Sequence, residues 1–298
     1  MTSPHTVVVD VPATSANLGP GFDSLGVALG WRGRFTVTAS DEAGPAPAGP
    51  IEQMAASAAI ALYQHAGAAI PAGVRVGYEG DIPVGRGLGV SAMSRAAGLI
   101  AASALLDGGH GLGDLLPIAI RLEGHGDNIV PAMFGGLRVV VEDDGGVVHA
   151  GIEPPSDLRL AMLIPQFSMP TEESRKRLPE RLTRNQAVHN IGRAALLIAA
   201  LTQGEYGLLA TATEDVLHQP ARSTLFPAMY PLFQAARDAG AHGVYLSGGG
   251  SAIAAFASES GAAEVAGAMR EVAAAHGLDA ETRVCEMSAT GATLVSVE

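Results

Sequence analysis

Residues 81–94 constrain this chain more than any other stretch, because they place three alternate glycines between two regular elements. The sequence is DIPVGRGLGVSAMS, with a β-leaning segment at residues 74–78 before it and a helical pattern at residues 91–106 after it. Alternate glycines permit positive φ and a close approach of a ligand to the main chain. Successive N–H groups in such a loop, together with the following helix N-terminus, can bind an anion. The pattern favours a phosphate-binding loop, with a plain strand-to-helix connection as the alternative.

The loop does not follow the common nucleotide-binding patterns. A Walker loop has a lysine directly after its last glycine, whereas Gly89 is followed by Val90 and Ser91. The chain has a single lysine, Lys176, so the strand lysine of protein kinases has no counterpart either. The glycine spacing also differs from the G-x-G-x-x-G dinucleotide fingerprint.

Composition limits the class of partner. The 298 residues carry a formal net charge of -12, which argues against a nucleic-acid partner and against an anionic membrane surface. Cys285 is the single cysteine, so an internal disulfide and a cysteine-based zinc site are excluded. The N-terminus has no basic start followed by an apolar run, and no apolar run reads as a membrane span. These features predict a soluble, cytoplasmic protein.

The order of patterns predicts an α+β fold in two domains, residues 1–153 and 154–298, because residues 144–155 are rich in Gly and Pro and read as a boundary. The second half alternates helical and strand patterns. It includes an expected helix over residues 205–217 and a polar break over residues 218–223.

Two polar segments are candidates for a site. Residues 13–26 form a long polar and Gly-rich loop that contains Asn17 and Asp23, with an ordinary turn as the alternative. Residues 123–128 concentrate ionisable and amide groups, including Glu123, His125 and Asp127, between apolar runs. A hard cation held by oxygen ligands and a bound phosphate suits such a segment better than zinc does.

Three separated blocks together resemble the GHMP small-molecule kinases, and within them the homoserine-phosphorylating branch. They are PATSANLGPGFDSLG at residues 12–26, IPVGRGLGVSA at residues 82–92 and EGHGDNIVPAMFGG at residues 123–136. Weaker matches follow at residues 171–179, 220–222 and 246–250, so the resemblance spans nearly the whole chain in order.

The resemblance implies an N-terminal domain like a small ribosomal-subunit protein domain and a ferredoxin-like C-terminal domain. It implies ATP-dependent phosphorylation of the hydroxyl of L-homoserine to O-phospho-L-homoserine, a step of threonine biosynthesis, with ATP and Mg²⁺ as cofactors. The assembly is left open, and a homodimer is one alternative.

The resemblance also implies roles for individual residues. Ser91 and Glu123 match the Mg²⁺-binding positions. Asp23 is the candidate catalytic carboxylate. The positions that match the substrate site are Asn17, Asp23, His125, Asp127, Arg175 and Arg222. The positions that match the nucleotide loop are Pro83, Val84, Gly85, Arg86, Gly87, Leu88, Gly89, Val90, Ser91 and Ala92.

The sequence departs from the family pattern at three places, one of which is SGGGSA at residues 247–252, where the family usually has SGAGPT. Val90 stands where the family usually has the first of two serines, and no adenine-flanking segment is recognisable around residues 50–54. These departures keep two alternatives open: another GHMP kinase acting on a different small alcohol, and a non-catalytic binding protein on the same scaffold.

Overall fold

The computed structural model describes residues 5–106, 109–143, 146–169 and 171–298, and for residues 171 and 172 it describes the backbone alone. In that part of the chain the strands form two antiparallel sheets. The strands are β1 (His5–Ala16), β2 (Leu25–Ser40), β3 (Gly73–Glu79), β4 (Leu137–Asp143), β5 (Gly146–Ile152), β6 (Leu158–Pro165), β7 (Gly243–Leu246), β8 (Ile253–Ser258), β9 (Ala280–Cys285) and β10 (Thr293–Val297).

The first sheet is organised around the long strand β2. The strand order is β10-β1-β2-β4-β5, and β3 pairs with the C-terminal part of β2 while β4 pairs with its N-terminal part. The register between β1 and β2 shifts between Pro12 and Thr14. Proline has no N–H to donate to a ladder, so an irregularity is expected beside it. The shift carries the chain from the regular ladder into residues 17–24, of which Asn17 and Asp23 line the cleft described below.

The helices are α1 (Pro50–His65), α2 (Val90–Leu105), α3 (Leu112–Glu123), α4 (Gly126–Phe134), α5 (Thr171–Lys176), α6 (Arg184–Gln203), α7 (Leu209–Ala212), α8 (Gln219–Ser223), α9 (Met229–Asp238) and α10 (Ala262–Ala275). The first four pack with the first sheet, and α2 contacts α1, α3, α4 and β1. The Ala-rich α2 is buried nearly all round, which allows a close crossing: a Cβ on Gly98 would lie 2.0 Å from the carbonyl oxygen of Ala55.

The second sheet has the order β7-β8-β6-β9. Helices α9 and α10 pack together and contact this sheet, and they bury a separate apolar cluster that includes Leu163, Phe233 and Met269.

The α+β fold class predicted from the sequence is confirmed. The division at residue 153 stays a prediction: β5 ends at Ile152, while β10 crosses back to pair with β1 in the first sheet. Within the described residues no helix has the length and apolar character to cross a membrane.

The Gly- and Pro-rich segment at residues 144–155 contains β5, which pairs with β4, and its role as a domain boundary stays a prediction. Two local predictions from the sequence were wrong. The helix expected over residues 205–217 is limited to a 3₁₀ turn at Tyr206–Leu208 and the short α7. The polar break at residues 218–223 contains α8, because the carboxylate of Asp215 accepts the backbone N–H groups of Leu217, His218 and Gln219 and so caps that helix.

Candidate active site

One cleft, with about 820 Å³ of open space, collects the polar segments singled out in the sequence. Eight of its lining positions are residues that the sequence analysis assigns to substrate or metal: Asn17, Asp23, Ser91, Glu123, His125, Asp127, Arg175 and Arg222. They come from both halves of the chain, since Arg175 lies on α5 and Arg222 on α8. The cleft therefore brings together all three blocks that are far apart along the chain.

The Gly-rich loop forms one wall of the cleft. Gly85, Gly87 and Gly89 have φ values of 73°, 76° and 66°, the left-handed region that favours glycine. Space is also restricted, because a Cβ on Gly87 would lie 2.0 Å from the carbonyl oxygen of Ser247. Of the positions assigned to the nucleotide, those lining the cleft are Val84, Gly85, Gly87, Leu88, Gly89, Val90 and Ser91.

The other three positions of that assignment, Pro83, Arg86 and Ala92, are not among the lining residues. Ala92 is fully buried in α2. The guanidinium of Arg86 donates from Nε to the carbonyl oxygen of Pro165 at 2.8 Å and also to the carbonyl of Gln166. Its side chain thus ties the loop to the second sheet.

The glycine turn after β7 holds the loop from the other side. The hydroxyl of Ser247 donates to the carbonyl oxygen of Gly87 at 2.7 Å, and the N–H of Ala252 donates to the carbonyl oxygen of Arg86 at 2.9 Å. These bonds occupy the carbonyl oxygens of Arg86 and Gly87 and fix the loop against the turn. The loop is therefore pre-organised, which reduces the conformational entropy lost when a ligand binds.

Ser91 and Glu123 form an oxygen pair at the edge of the cleft. Ser91 lies in the first turn of α2, Glu123 is the last residue of α3, and the Ser91 hydroxyl donates to Oε1 of Glu123 at 2.5 Å. The second carboxylate oxygen accepts from the guanidinium of Arg95, which the sequence analysis did not select. Across the described residues no group of three or more His, Cys, Asp or Glu is placed to hold a metal. A cation here would need further oxygen ligands from a bound molecule.

The start of α4 presents the next polar group. His125 is the N-cap residue, and its Nδ1 lies 2.6 Å from Oδ1 of Asp127, a carboxylate that is 2% exposed. Burial alone would lower the pKa of His125, but the hydrogen bond and charge of Asp127 outweigh it, with Glu123 adding to the effect, and the pKa is raised above its ordinary value. Asn128 belongs to the same polar segment of the sequence, where no individual role was assigned to it, and its side-chain oxygen accepts from the hydroxyl of Thr14 at 2.8 Å.

The loop at residues 17–24 has an unusual backbone. Asn17, Leu18 and Asp23 have positive φ values of 69°, 47° and 57°, a conformation that costs free energy in residues other than glycine. The amide of Asn17 holds the loop in place: its Nδ2 donates to the carbonyl oxygen of Gly248 at 2.9 Å, and its Oδ1 accepts from the N–H of Asp23 at 3.0 Å. Asn17 therefore orients Asp23.

Asp23 and Arg175 form a bidentate ion pair, with Nη1–Oδ2 and Nη2–Oδ1 distances of 2.7 and 2.6 Å. The hydrogen bond to Asp23 is the main cause that raises the pKa of Arg175. The ring of Phe22 faces two guanidinium groups, those of Arg175 at 5.1 Å and Arg222 at 5.5 Å from its centroid. Both cations are therefore held at the same end of the cleft by one aromatic ring.

Arg222 is 1% exposed and is held by three neighbours. Its Nε donates to Ser174 Oγ at 2.6 Å, and its Nη1 donates to His218 Nδ1 at 2.8 Å and to the carbonyl oxygen of Gly248 at 2.9 Å. The pKa of Arg222 is lowered to about 10, mainly by burial and secondly by the charge of Arg175. The group stays charged at neutral pH and supplies a localised positive field in an acidic protein.

Residues that sequence reasoning missed also line the cleft. Met54 on α1 lies there, although residues 50–54 carried no recognisable adenine-flanking pattern, and Gly248 and Gly249 of the turn after β7 lie there too. A single methionine has no spacing signal that distinguishes it from a core residue, so only the three-dimensional structure places it.

The fold and cleft match one class of enzyme. Residues 53–136 match the family model "GHMP kinases N terminal domain", and residues 194–275 match "GHMP kinases C terminal". The chain resembles a homoserine kinase of Desulfitobacterium hafniense, with 37% identity over 97% of this chain and 100% of the relative. It also resembles one of Synechocystis, with 35% identity over 97% of this chain and 98% of the relative. The chain belongs to the GHMP kinase family and, within it, to the homoserine kinases.

Solved structures agree with this placement. A crystal structure of homoserine kinase from Cytophaga hutchinsonii superposes with a TM-score of 0.87 at 29% identity, covering 97% of each chain. A galactokinase of Lactococcus lactis superposes with a TM-score of 0.72 at 14% identity, over 97% of this chain and 95% of that chain, which shows the shared fold alone.

Proposed function

We propose that this protein transfers the γ-phosphoryl group of ATP to the side-chain hydroxyl of L-homoserine. The observation that carries the proposal is the convergence, in one cleft, of the glycine loop, the Ser91–Glu123 oxygen pair and the guanidinium groups of Arg175 and Arg222. Near-full-length identity of 35–37% to two homoserine kinases supports the choice of acceptor.

The glycine loop is assigned to the phosphates of the nucleotide. The N–H groups of the loop and the N-terminus of α2 carry partial positive charge at this wall of the cleft. Such charge stabilises the negative charge that develops on the phosphoryl group during transfer. Val90 removes one hydroxyl relative to the usual pattern of the family, but main-chain donors do not depend on the side chain. The loop therefore keeps its donors without that serine.

The donor set also suits Mg²⁺. This ion prefers oxygen ligands and completes its shell with water and phosphate oxygens, so the hydroxyl of Ser91 and the carboxylate of Glu123 suffice as protein ligands. When bound, the ion supplies neutralisation of the charge on the transferred group. The guanidinium of Arg95 now holds one oxygen of Glu123, and it balances the charge of that carboxylate.

The amino-acid end of the acceptor is assigned to the other side of the cleft. Arg222 and Arg175 provide donors for a carboxylate, and Asp127 and Asn17 provide acceptors for an ammonium group. Asp23 is the proposed catalytic carboxylate that orients the hydroxyl. Because both of its oxygens also accept from Arg175, a bound hydroxyl would share this carboxylate with a guanidinium group. Positioning, rather than strong base catalysis, is the expected contribution.

A coupled ADP-release assay tests the proposal. The acceptors are L-homoserine, L-serine, which is one methylene shorter, 4-hydroxybutyrate, which lacks the ammonium group, and 3-aminopropan-1-ol, which lacks the carboxylate. We expect the highest kcat/KM for L-homoserine, with a phosphate monoester on its hydroxyl detected by ³¹P NMR. A higher kcat/KM for another alcohol would favour a different GHMP kinase. Thermal stabilisation by both ligands without ADP release would favour a binding protein.

Three further sequence-based assignments stay predictions. They are the lack of a nucleic-acid partner, the cytoplasmic location and the oligomeric state, for which a homodimer is one alternative. Gel filtration with light scattering measures the oligomeric state directly.

A further inference from the structure

His218 is a fully buried histidine that the proposed chemistry does not use. It directly precedes α8 and contacts two parts of the cleft. Its Nε2 lies 2.7 Å from the carbonyl oxygen of Gly19, in the loop at residues 17–24, and its Nδ1 lies 2.8 Å from Nη1 of Arg222. The bond to Gly19 joins positions 199 residues apart in the sequence.

These two contacts determine the tautomer. A carbonyl oxygen only accepts hydrogen bonds, so Nε2 must carry the proton. A guanidinium nitrogen only donates, so Nδ1 must present its lone pair. His218 is therefore the neutral Nε2–H tautomer, with both ring nitrogens in hydrogen bonds.

The surroundings keep the ring neutral. Burial is the largest cause that lowers the pKa of His218, to about 4, and the nearby charge of Arg222 acts in the same direction. The carboxylates of Asp215 and Asp23 oppose this effect. Asp215 lies 3.7 Å from Nε2 through its Oδ2, and both of its oxygens already accept backbone or amide N–H groups.

The guanidinium of Arg222 depends on this ring for its orientation. Nε and Nη1 are taken up by Ser174, His218 and Gly248, and among the described residues Nη2 makes no hydrogen bond to the protein. Arg222 lines the cleft, so Nη2 is the nitrogen left for an anionic group of a ligand. A rotation of the guanidinium that broke the bond to His218 would also redirect Nη2.

We propose that His218 is a positioning residue that couples the loop at residues 17–24 to Arg222. Through it, the loop and the guanidinium keep a fixed position relative to each other on the two sides of the amino-acid subsite. The ring acts as a rigid spacer that donates to Gly19 and accepts from Arg222. This inference rests on the proposed function, since it assigns Nη2 of Arg222 to the carboxylate of the acceptor.

Three substitutions separate the two bonds. His218→Asn keeps an acceptor near the position of Nδ1 and removes the donor to Gly19. His218→Gln keeps a donor near the position of Nε2. His218→Leu removes both. His242→Leu is the matched control, because His242 is a partly buried histidine of the same domain that is not among the residues lining the cleft.

The expected readout is a split between the two substrates. In His218→Leu the KM for L-homoserine should rise about ten- to a hundredfold, the scale of one hydrogen bond to a charged group. The KM for ATP should stay within about threefold of the wild type, because the hydrogen bonds of the His218 ring among the described residues go to Gly19 and Arg222 and not to the glycine loop. His218→Asn should recover part of the loss. Equal changes in both KM values, or a wild-type KM for L-homoserine in His218→Leu, would overturn the proposal.

A second measurement does not depend on activity. In ¹⁵N NMR spectra of the histidine side chains, the signals that disappear in His218→Leu should report the neutral Nε2–H tautomer and should not titrate between about pH 5.5 and 8.5. An Nδ1–H tautomer, or titration at an ordinary histidine pKa, would refute the coupling. If His218→Leu fails to fold, the signals that disappear in His218→Asn identify His218 instead. A wild type that releases no ADP with L-homoserine would instead refute the proposed function and leave the NMR result standing.

Discussion

Gly89→Ala should damage the phosphate loop more than positive φ alone can explain. Gly89 precedes α2 with φ 66°, and a Cβ there would lie 1.8 Å from Oγ1 of Thr14 and 2.9 Å from Oδ1 of Asn128. Gly67 has nearly the same φ, 64°, but a Cβ there would meet nothing within 4 Å. The two glycines therefore separate backbone strain from steric overlap.

The magnitude follows from those two terms. Alanine in the left-handed region costs about 1–2 kcal/mol, so Gly67→Ala should lose that much stability and no activity. Gly89→Ala should lose a further amount of about 1–3 kcal/mol, the usual cost of forcing a group into a packed site. The neighbour it displaces, Thr14, donates to Asn128 at 2.8 Å, so the cleft is also disturbed and kcat/KM for ATP should fall at least about tenfold.

Urea denaturation and the ADP-release assay measure both effects. Thr14→Ala removes the atom that the new Cβ approaches most closely, so the double variant Thr14→Ala/Gly89→Ala should be about 1–3 kcal/mol more stable than additivity predicts. The reasoning is refuted if Gly89→Ala costs no more stability than Gly67→Ala, or if the double variant shows no favourable coupling.

Three further predictions test other parts of the site. Glu123→Gln should lower Mg²⁺-dependent turnover at least about tenfold, and it should lower the unfolding temperature without loss of the fold because Arg95 loses its charged partner. Full activity would remove Glu123 from the proposed metal site. Arg222→Lys should raise the KM for L-homoserine about tenfold or more, because one ammonium cannot hold Ser174, His218 and a ligand together. The exposed control Arg270→Lys should leave this KM unchanged. Equal KM values in the two variants would contradict the assignment. The low pKa of His218, about 4, means that the unfolded chain binds this proton first as pH falls. The group therefore removes up to about 3 kcal/mol of stability between about pH 6.5 and 4, and His218→Leu should flatten that part of the curve of unfolding free energy against pH; an unchanged slope would contradict it.

Local spacing predicted the glycine loop well. The alternation of Gly85, Gly87 and Gly89 permits positive φ at each position, and the structure has it. The long apolar pattern over residues 91–106 likewise predicted α2 to within one residue at each end, because hydrophobic periodicity is a property of contiguous sequence.

What the sequence could not supply depends on distant contacts. Leu18 and Asp23 have positive φ, which their side chains do not favour, and the loop is held through Asn17 and Gly248, far apart in the chain. Helix α8 was missed for a local reason: the carboxylate of Asp215 accepts from N–H groups two to four residues ahead, a capping pattern that the expected helix over residues 205–217 ran across. Family resemblance selected the candidate site residues, while the pairing of Asp23 with Arg175 appeared only in three dimensions.

The pairing of β1 with β10 has a consequence for synthesis of the chain. Val7 lies opposite Val297, so the outer edge of the first strand has no native neighbour until the ribosome has translated residues 293–297. Unpaired strand edges are sites of intermolecular association. During translation the nascent protein therefore carries an open β-edge until β10 has been made, and a chaperone that shielded this edge would prevent intermolecular strand pairing.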